Sequence, residues 1–150
     1  MSETGIEDIY QAAIMERARH PRHQGLLTDF DVEVKETNPL CGDRVVLTLR
    51  RQPDGRIAAV GYHARACAIC VAATDLMAEI IPGMTEDEAR LAATTFEARL
   101  RDGGSIPEDS VISSLRAFQP LRDAPSRIGC AILGWRALMQ ALASPRAEPK

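Results

Sequence analysis

The 150-residue sequence holds no sustained run of lysine or arginine, no internal repeat and no low-complexity tract beyond its short ends. Its 18 basic and 21 acidic side chains leave a formal net charge of −3, so the electrostatic footprint of a phosphate-backbone binder is missing. Nucleic acid is thereby excluded as a primary partner. The apolar stretches break off short of the roughly 18 residues that a membrane span needs, and no membrane partner is expected. The N-terminal Met-Ser-Glu-Thr-Gly is acidic where a secretory leader is basic and then apolar, which predicts a cytoplasmic protein. Histidine is scarce as well. His20 and His23 flank a proline turn, and His63 ends an apolar stretch as the one histidine able to approach a cysteine, Cys67.

What is present is an ordinary globular mix, 45% hydrophobic and 26% charged, in a length that suits one domain. A single domain over residues 1–143 with a polar tail over 144–150 is expected. Thr4-Gly5-Ile6-Glu7 has the form of a capping box, and Ile6, Ile9, Tyr10, Ala13, Ile14 and Arg17 follow at helical spacing to a stop before Pro21. After the turn His20–Gly25, Asp31–Glu36 alternates as a half-buried strand. Val45, Leu47 and Leu49 repeat every second residue. Pro53-Asp54-Gly55 is a strong turn signal, and Ile57–Tyr62 continues as a third strand, so the second and third strands should form a hairpin.

From Cys67 the period lengthens: Ile69, Ala72, Ala73, Leu76 and Ile80 share a helical face as far as Pro82-Gly83. Thr85-Glu86-Asp87-Glu88 is a second capping box, opening a helix with Ala89, Ala93, Phe96 and Leu100 inward that stops at Asp102-Gly103-Gly104. Pro107 suits the first turn of a shorter helix through Val111, Leu115 and Phe118, and a last helix from about Pro125 carries Ile128, Ile132, Trp135, Met139 and Leu142. The fold class predicted is α+β, a small three-stranded antiparallel sheet packed against several helices.

Four cysteines, at 41, 67, 70 and 130, are poor disulfide candidates in a reducing compartment, which turns attention to metal, sulfur or redox chemistry. In Cys41-Gly42-Asp43 the glycine lets a tight turn bring a thiolate and a carboxylate to one point, a pairing that suits zinc. The tripeptide alone is equally compatible with a loop cysteine followed by a strand-entry aspartate. Cys67 falls where a strand gives way to a helix, whose N-terminus should lower its thiol pKa. Cys70 completes a Cys-x-x-Cys used by zinc sites and by dithiol oxidoreductases, though it shares a face with Ala73 and Met77 and can equally be packed. Cys130 stands off the apolar stripe of the last helix. Arg127, three residues earlier, can share its side and hold its thiolate deprotonated, or be a solvated surface residue.

These motifs together resemble the scaffold family of iron–sulfur cluster assembly, the IscU/SufU/NifU N-terminal type, over nearly the whole chain. The carriers are Tyr10 through Gly25, Asn38-Pro39-Leu40-Cys41-Gly42-Asp43, Ala66-Cys67-Ala68-Ile69 with Ala72-Ala73 and Leu76-Met77, and Arg127-Ile128-Gly129-Cys130-Ala131 with Leu133 and Trp135. The resemblance implies an α+β sandwich in which Cys41, Asp43, Cys67 and Cys130 converge on one exposed site for zinc or a nascent cluster. Two departures bear on the branch. The cluster-scaffold branch usually has histidine where this chain has Gly129, and a Leu-Pro-Pro-Val-Lys chaperone segment where it has Asp123-Ala124-Pro125-Ser126-Arg127. The separation of 63 positions between Cys67 and Cys130, and the arginine at 127, look like the SufU branch instead.

The resemblance to SufU implies a zinc-dependent sulfur carrier that takes persulfide sulfur from a cysteine desulfurase of the SufS type, with Cys130 as acceptor, and passes it toward cluster-assembly or apo iron–sulfur proteins. Cys70 is a further departure, with room for a role as a resolving thiol, a spare ligand or neither. The alternative is a scaffold building a [2Fe–2S] cluster on Cys41, Cys67 and Cys130 with Asp43 as a labile oxygen ligand. A third reading, a structural zinc module or dithiol redox protein, fits less well: structural zinc wants a closed cage, and a thioredoxin-like motif wants βαβ units, whereas this one follows an antiparallel hairpin.

Overall fold

The computed structural model describes residues 3–145, with side chains from residue 8 onward. In chain order it places α1 at Glu3–Arg19, β1 at Val32–Asn38, β2 at Asp43–Arg51, β3 at Ile57–Arg65, α2 at Ala68–Ile80, α3 at Glu86–Asp102, a 3-10 helix at Ser113–Asp123 and α4 at Pro125–Ala143. The three strands form one antiparallel sheet in the order β1-β2-β3, as expected for the α+β class. Pro53-Asp54-Gly55 makes the β2–β3 turn with Gly55 at φ +91°, a region that favours glycine.

Alternation decides the faces. Val45, Leu47 and Leu49 of β2 and Val60 and Tyr62 of β3 point inward to the helices and are buried. On the outer face the middle of the sheet is covered by residues 25–27, where Leu27 N–H donates to Thr48 Oγ1 at 3.0 Å. Gly61 allows this crossing, since a Cβ there would stand 2.6 Å from the Gly25 carbonyl oxygen. The end of the same face, at Thr37, Arg44 and Arg65, stays exposed.

In the helical layer α2 and α4 approach closely because Gly134 faces Thr74 with no room for a Cβ. Trp135 seals this contact, donating from Nε1 to Ala73 O at 3.2 Å and packing on Phe96, which meets Phe118 edge-on. α3 starts at the capping box: Glu88 N–H donates to Thr85 Oγ1 and Thr85 N–H to Glu88 Oε1. Its stop is Gly103 in the left-handed conformation.

Three local expectations change. Thr4 lies inside α1 rather than at its cap, since the backbone is already helical at Glu3, and the side chains of that capping box lie outside those described. The amphipathic α1 packs on the core through half-buried Ile14 and Ala18, while Ile9 is 57% exposed. Pro107 opens an isolated turn, not a helix, with Ser110 N–H on its carbonyl. The helix begins at Ser113, winds as 3-10 and contains Pro120, while Val111 is left 71% exposed. The polar tail lies, from residue 146, outside the described residues.

What anchors α1 is a buried carboxylate. Asp75 of α2, fully buried, accepts from Tyr62 OH at 2.8 Å, from the backbone N–H groups of Arg22 and His23 at 3.0 and 2.9 Å, and from Arg17 at 3.1 Å. Arg17 and His23 also reach Glu79 at 3.1 Å each. Burial alone would raise the Asp75 carboxyl, but these hydrogen bonds outweigh it and hold it below the usual carboxylate range.

Removing one member of a buried charged network strands the others, so Asp75→Ala should cost about 3 kcal/mol in urea unfolding at neutral pH. A carboxyl whose folded pKa is depressed contributes stability above its unfolded pKa, about 4, and loses it as pH falls through the folded value. The gap between wild type and variant should therefore shrink below pH about 4. A gap that stays constant to lower pH would contradict the ionised Asp75.

Candidate metal and sulfur site

The site lies at the junction of the β1–β2 turn, the start of α2 and the start of α4. β1 ends at Asn38, whose carbonyl accepts from Gly42 N at 2.7 Å and whose Oδ1 accepts from Leu40 N at 3.1 Å. With Gly42 at φ +75°, this reverses the chain over four residues and lifts the exposed Cys41 off the sheet edge. Asp43 opens β2 and turns inward, only 4% exposed. Its carboxylate accepts from Cys67 N–H at 3.1 Å and from the Cys67 thiol at 3.4 Å. Cys67 is thus the N-cap of α2, with its backbone donor satisfied from another strand. Cys130, in the second turn of α4, brings its sulfur within 3.5 Å of Cys41 Sγ.

Ligand atoms of Cys41, Asp43 and Cys130 all lie within 4.8 Å of one another. Cys67 stands just outside that envelope and joins through Asp43. A tetrahedral zinc with sulfur ligands at about 2.3 Å has ligand–ligand edges of about 3.5–3.8 Å, and the observed separations of 3.5 and 3.4 Å match such edges. Thiolate and carboxylate donors at these separations are of a kind that suits zinc. No histidine joins it. His63 is exposed on the outer sheet face, and a side chain at Gly129 would find Asn38 Nδ2 only 3.0 Å from its Cβ.

Electrostatics correct two sequence expectations. Burial pushes the Cys67 thiol up and the Asp43 carboxylate adds to it, while the Cys70 N–H at the helix start pulls down too weakly to win. The helix N-terminus therefore does not lower this thiol. Cys130 is also pushed up, by burial first and then by the Cys41 and Cys67 thiols. Arg127 is exposed on the rim of the cleft that Cys130 lines and is not among the groups that set the Cys130 thiol. Cys70 points away, fully buried with its sulfur 4.0 Å from Thr74 Oγ1 and its pKa raised to about 12 by burial.

A cleft of about 930 Å³ opens over Cys41, Cys67 and Cys130, walled by Tyr10, Ile14 and Met15 of α1, Ile69 of α2 and Leu121. On the other side of the Cys41 turn a second groove runs along Asp43, Arg44, Ala64 and Arg65. Sequence reasoning found the cysteines but assigned no task to Asn38 or to these arginines. The hairpin register about Asp54-Gly55, which sets Arg44 opposite Arg65, was the available signal.

A model of the NifU-like N-terminal domain family matches residues 9–150. The zinc-dependent sulfurtransferase SufU of Bacillus subtilis is 30% identical over 139 residues, 92% of this chain and 92% of that protein. The iron–sulfur cluster assembly scaffold protein IscU of Streptococcus pyogenes is 26% identical over 142 residues, 95% of this chain and 87% of the relative. Among solved structures, the N-terminal part of a nitrogen-fixing NifU-like protein from Brucella abortus superimposes with a TM-score of 0.83 at 28% identity, covering 91% of this chain and 94% of that one.

The thiol environments predict an order of alkylation in metal-free protein. At pH 8 a thiol with pKa about 12 is ionised to only about one part in 10⁴. Cys41, exposed, should react with iodoacetamide first and Cys70 last, as read by mass spectrometry of timed samples. Cys70 labelled as fast as Cys41 would contradict its burial.

Proposed function

The chain belongs to the NifU-like N-terminal domain family, and from that premise we propose that it is a zinc-dependent sulfur acceptor in iron–sulfur cluster assembly, charged by a cysteine desulfurase. The observation that carries this reading is the donor set: three thiols and one buried carboxylate at a single junction, with no histidine to complete a cluster cage. The likeness to a relative named as a zinc-dependent sulfurtransferase supports it.

The residues divide the chemistry. Zinc, when bound by Cys41, Asp43, Cys67 and Cys130, supplies the positive charge that keeps these thiols deprotonated and brings no redox chemistry of its own. Cys130 is the acceptor. Its thiolate attacks the terminal sulfur of the donor's persulfide, the donor's S–S bond breaks, and the donor cysteine leaves as a thiolate. Cys130 then carries the persulfide, and the sulfur has moved with no net electron transfer. Asp43 keeps Cys67 in place through its N–H while Cys130 is engaged. Cys130 is buried at the edge of the cleft, whose volume of about 930 Å³ has room for a segment of the donor. Cluster-assembly or apo iron–sulfur proteins receive the sulfur downstream.

A second reading, a scaffold that assembles and transfers a [2Fe–2S] cluster on the three cysteines, is favoured by Asp43 itself. An oxygen ligand holds iron less tightly than a fourth thiolate would and suits release.

Elemental analysis and a visible spectrum of anaerobically purified protein separate the two. The sulfur-acceptor reading expects a colourless protein with about one zinc per chain, lost in Asp43→Ala. It also expects Cys130→Ala to abolish stimulation of a cysteine desulfurase. Full stimulation by Cys130→Ala would remove the acceptor role from that residue. Iron with acid-labile sulfide and a brown chromophore would favour the scaffold.

A further inference from the structure

We propose that the exposed end of the outer sheet face, where Arg44 stands opposite Arg65, docks an acidic segment of the protein that donates sulfur. The inference rests on the sulfur-acceptor reading and adds where the donor sits. Arg44 of β2 and Arg65 of β3 are direct cross-strand partners, and both are exposed. Like charges at such positions repel at close range. Among the described residues neither arginine is in an ion pair, whereas most other arginines of the helical layer and hairpin tip are. One step along the same face Lys35 and His63 flank Val46 and are also exposed. Three permanent cations and a histidine thus gather at one sheet end of a chain whose net charge is −3.

Their location ties them to the site. The groove of about 740 Å³ lined by Arg44 and Arg65 ends on Cys41, Gly42 and Asp43. The one carboxylate in it, Asp43, already spends its oxygens on Cys67, so the arginines have no internal counter-charge. A segment lying in this groove with carboxylates on the guanidiniums has its end beside Cys41, which lines both the groove and the apolar cleft over Cys130. Charge complementarity selects an acidic polypeptide, and the transfer chemistry selects the protein that bears the persulfide.

The test uses the zinc-loaded full chain and the cysteine desulfurase of the same cell. Both the Kd by calorimetry and the KM for the chain in desulfurase turnover are measured, together with the zinc content of every variant. Arg44→Glu and Arg65→Glu are expected to raise both constants about tenfold each, leave turnover at saturation within about twofold, and flatten the salt dependence of binding. Because both residues flank candidate ligands, Lys35→Glu and the neutral pair Arg44→Gln/Arg65→Gln provide the same readout with less disturbance and should raise the constants about threefold or more. Arg50→Glu makes the same charge change on the same face about 20 Å away and should change neither.

Unchanged constants in zinc-retaining charge-reversal variants would overturn the proposal. So would equal losses in Arg50→Glu, or free phosphate displacing the desulfurase at low millimolar concentration, which would make the groove a small-anion site. A wild-type chain that binds the desulfurase without stimulating it would instead count against the sulfur-acceptor reading, and the Kd series would still decide the docking surface.

Discussion

The site depends on one carboxylate. Asp43 sits at the first residue of β2 with its side chain turned in, and its two oxygens hold the N–H and the thiol of Cys67. That pair of contacts ties the start of a strand to the start of a helix that follows 24 positions later. A buried carboxylate without partners is costly, so its presence at the mouth of the site is explained by what it holds. Opposite it, α4 delivers Cys130 at a height set by the close pass of Gly134 over Thr74. The sheet register, the α2–α4 contact and the Asn38 turn therefore fix three sulfurs relative to one oxygen before any metal binds.

Much of this fold was legible because its signals are local. Alternation in β1 and β2, the Pro53-Asp54-Gly55 turn, the Thr85–Glu88 capping box and Gly103 each act through neighbours within a few residues, and each reads from the sequence by rule. The misreadings have non-local causes. What covers the apolar stripe of α1 was not legible either: it packs Ile14 and Ala18 on the core and also walls a cleft, and α1 is tethered by Arg17 to Asp75. Pro107 is a sound helix start in isolation, yet the chain turns at Ser110 and delays the helix to Ser113. Asp75 carried a readable mark, a carboxylate between Thr74 and Leu76 in the otherwise apolar middle of α2, which sequence reasoning passed over.

The convergence of Cys41, Asp43, Cys67 and Cys130 was of another kind. No spacing rule brings residues 26 and 63 positions apart to one point, and only the family resemblance implied it. The thiol pKa direction at Cys67 shows why a single local rule is weak here. The helix N-terminus does favour the thiolate, through the Cys70 N–H, but desolvation and the adjacent Asp43 oppose it and prevail.

That balance explains how the site can be both assembled and quiet. Three thiols and a carboxylate crowded together would repel one another if all were ionised, and in the metal-free chain Cys67 and Cys130 are pushed toward their neutral forms. A protonated thiol is a poor nucleophile. A cation bound among them would turn the mutual repulsion of thiolates and carboxylate into ligation and release protons. On the sulfur-acceptor reading, zinc is then the condition under which the Cys130 thiol becomes competent. The arginines at the sheet end lie on the far side of Cys41 from α4. They can attract an acidic partner there without adding positive charge beside Cys130, which leaves activation of the thiol and recognition of the donor to separate groups.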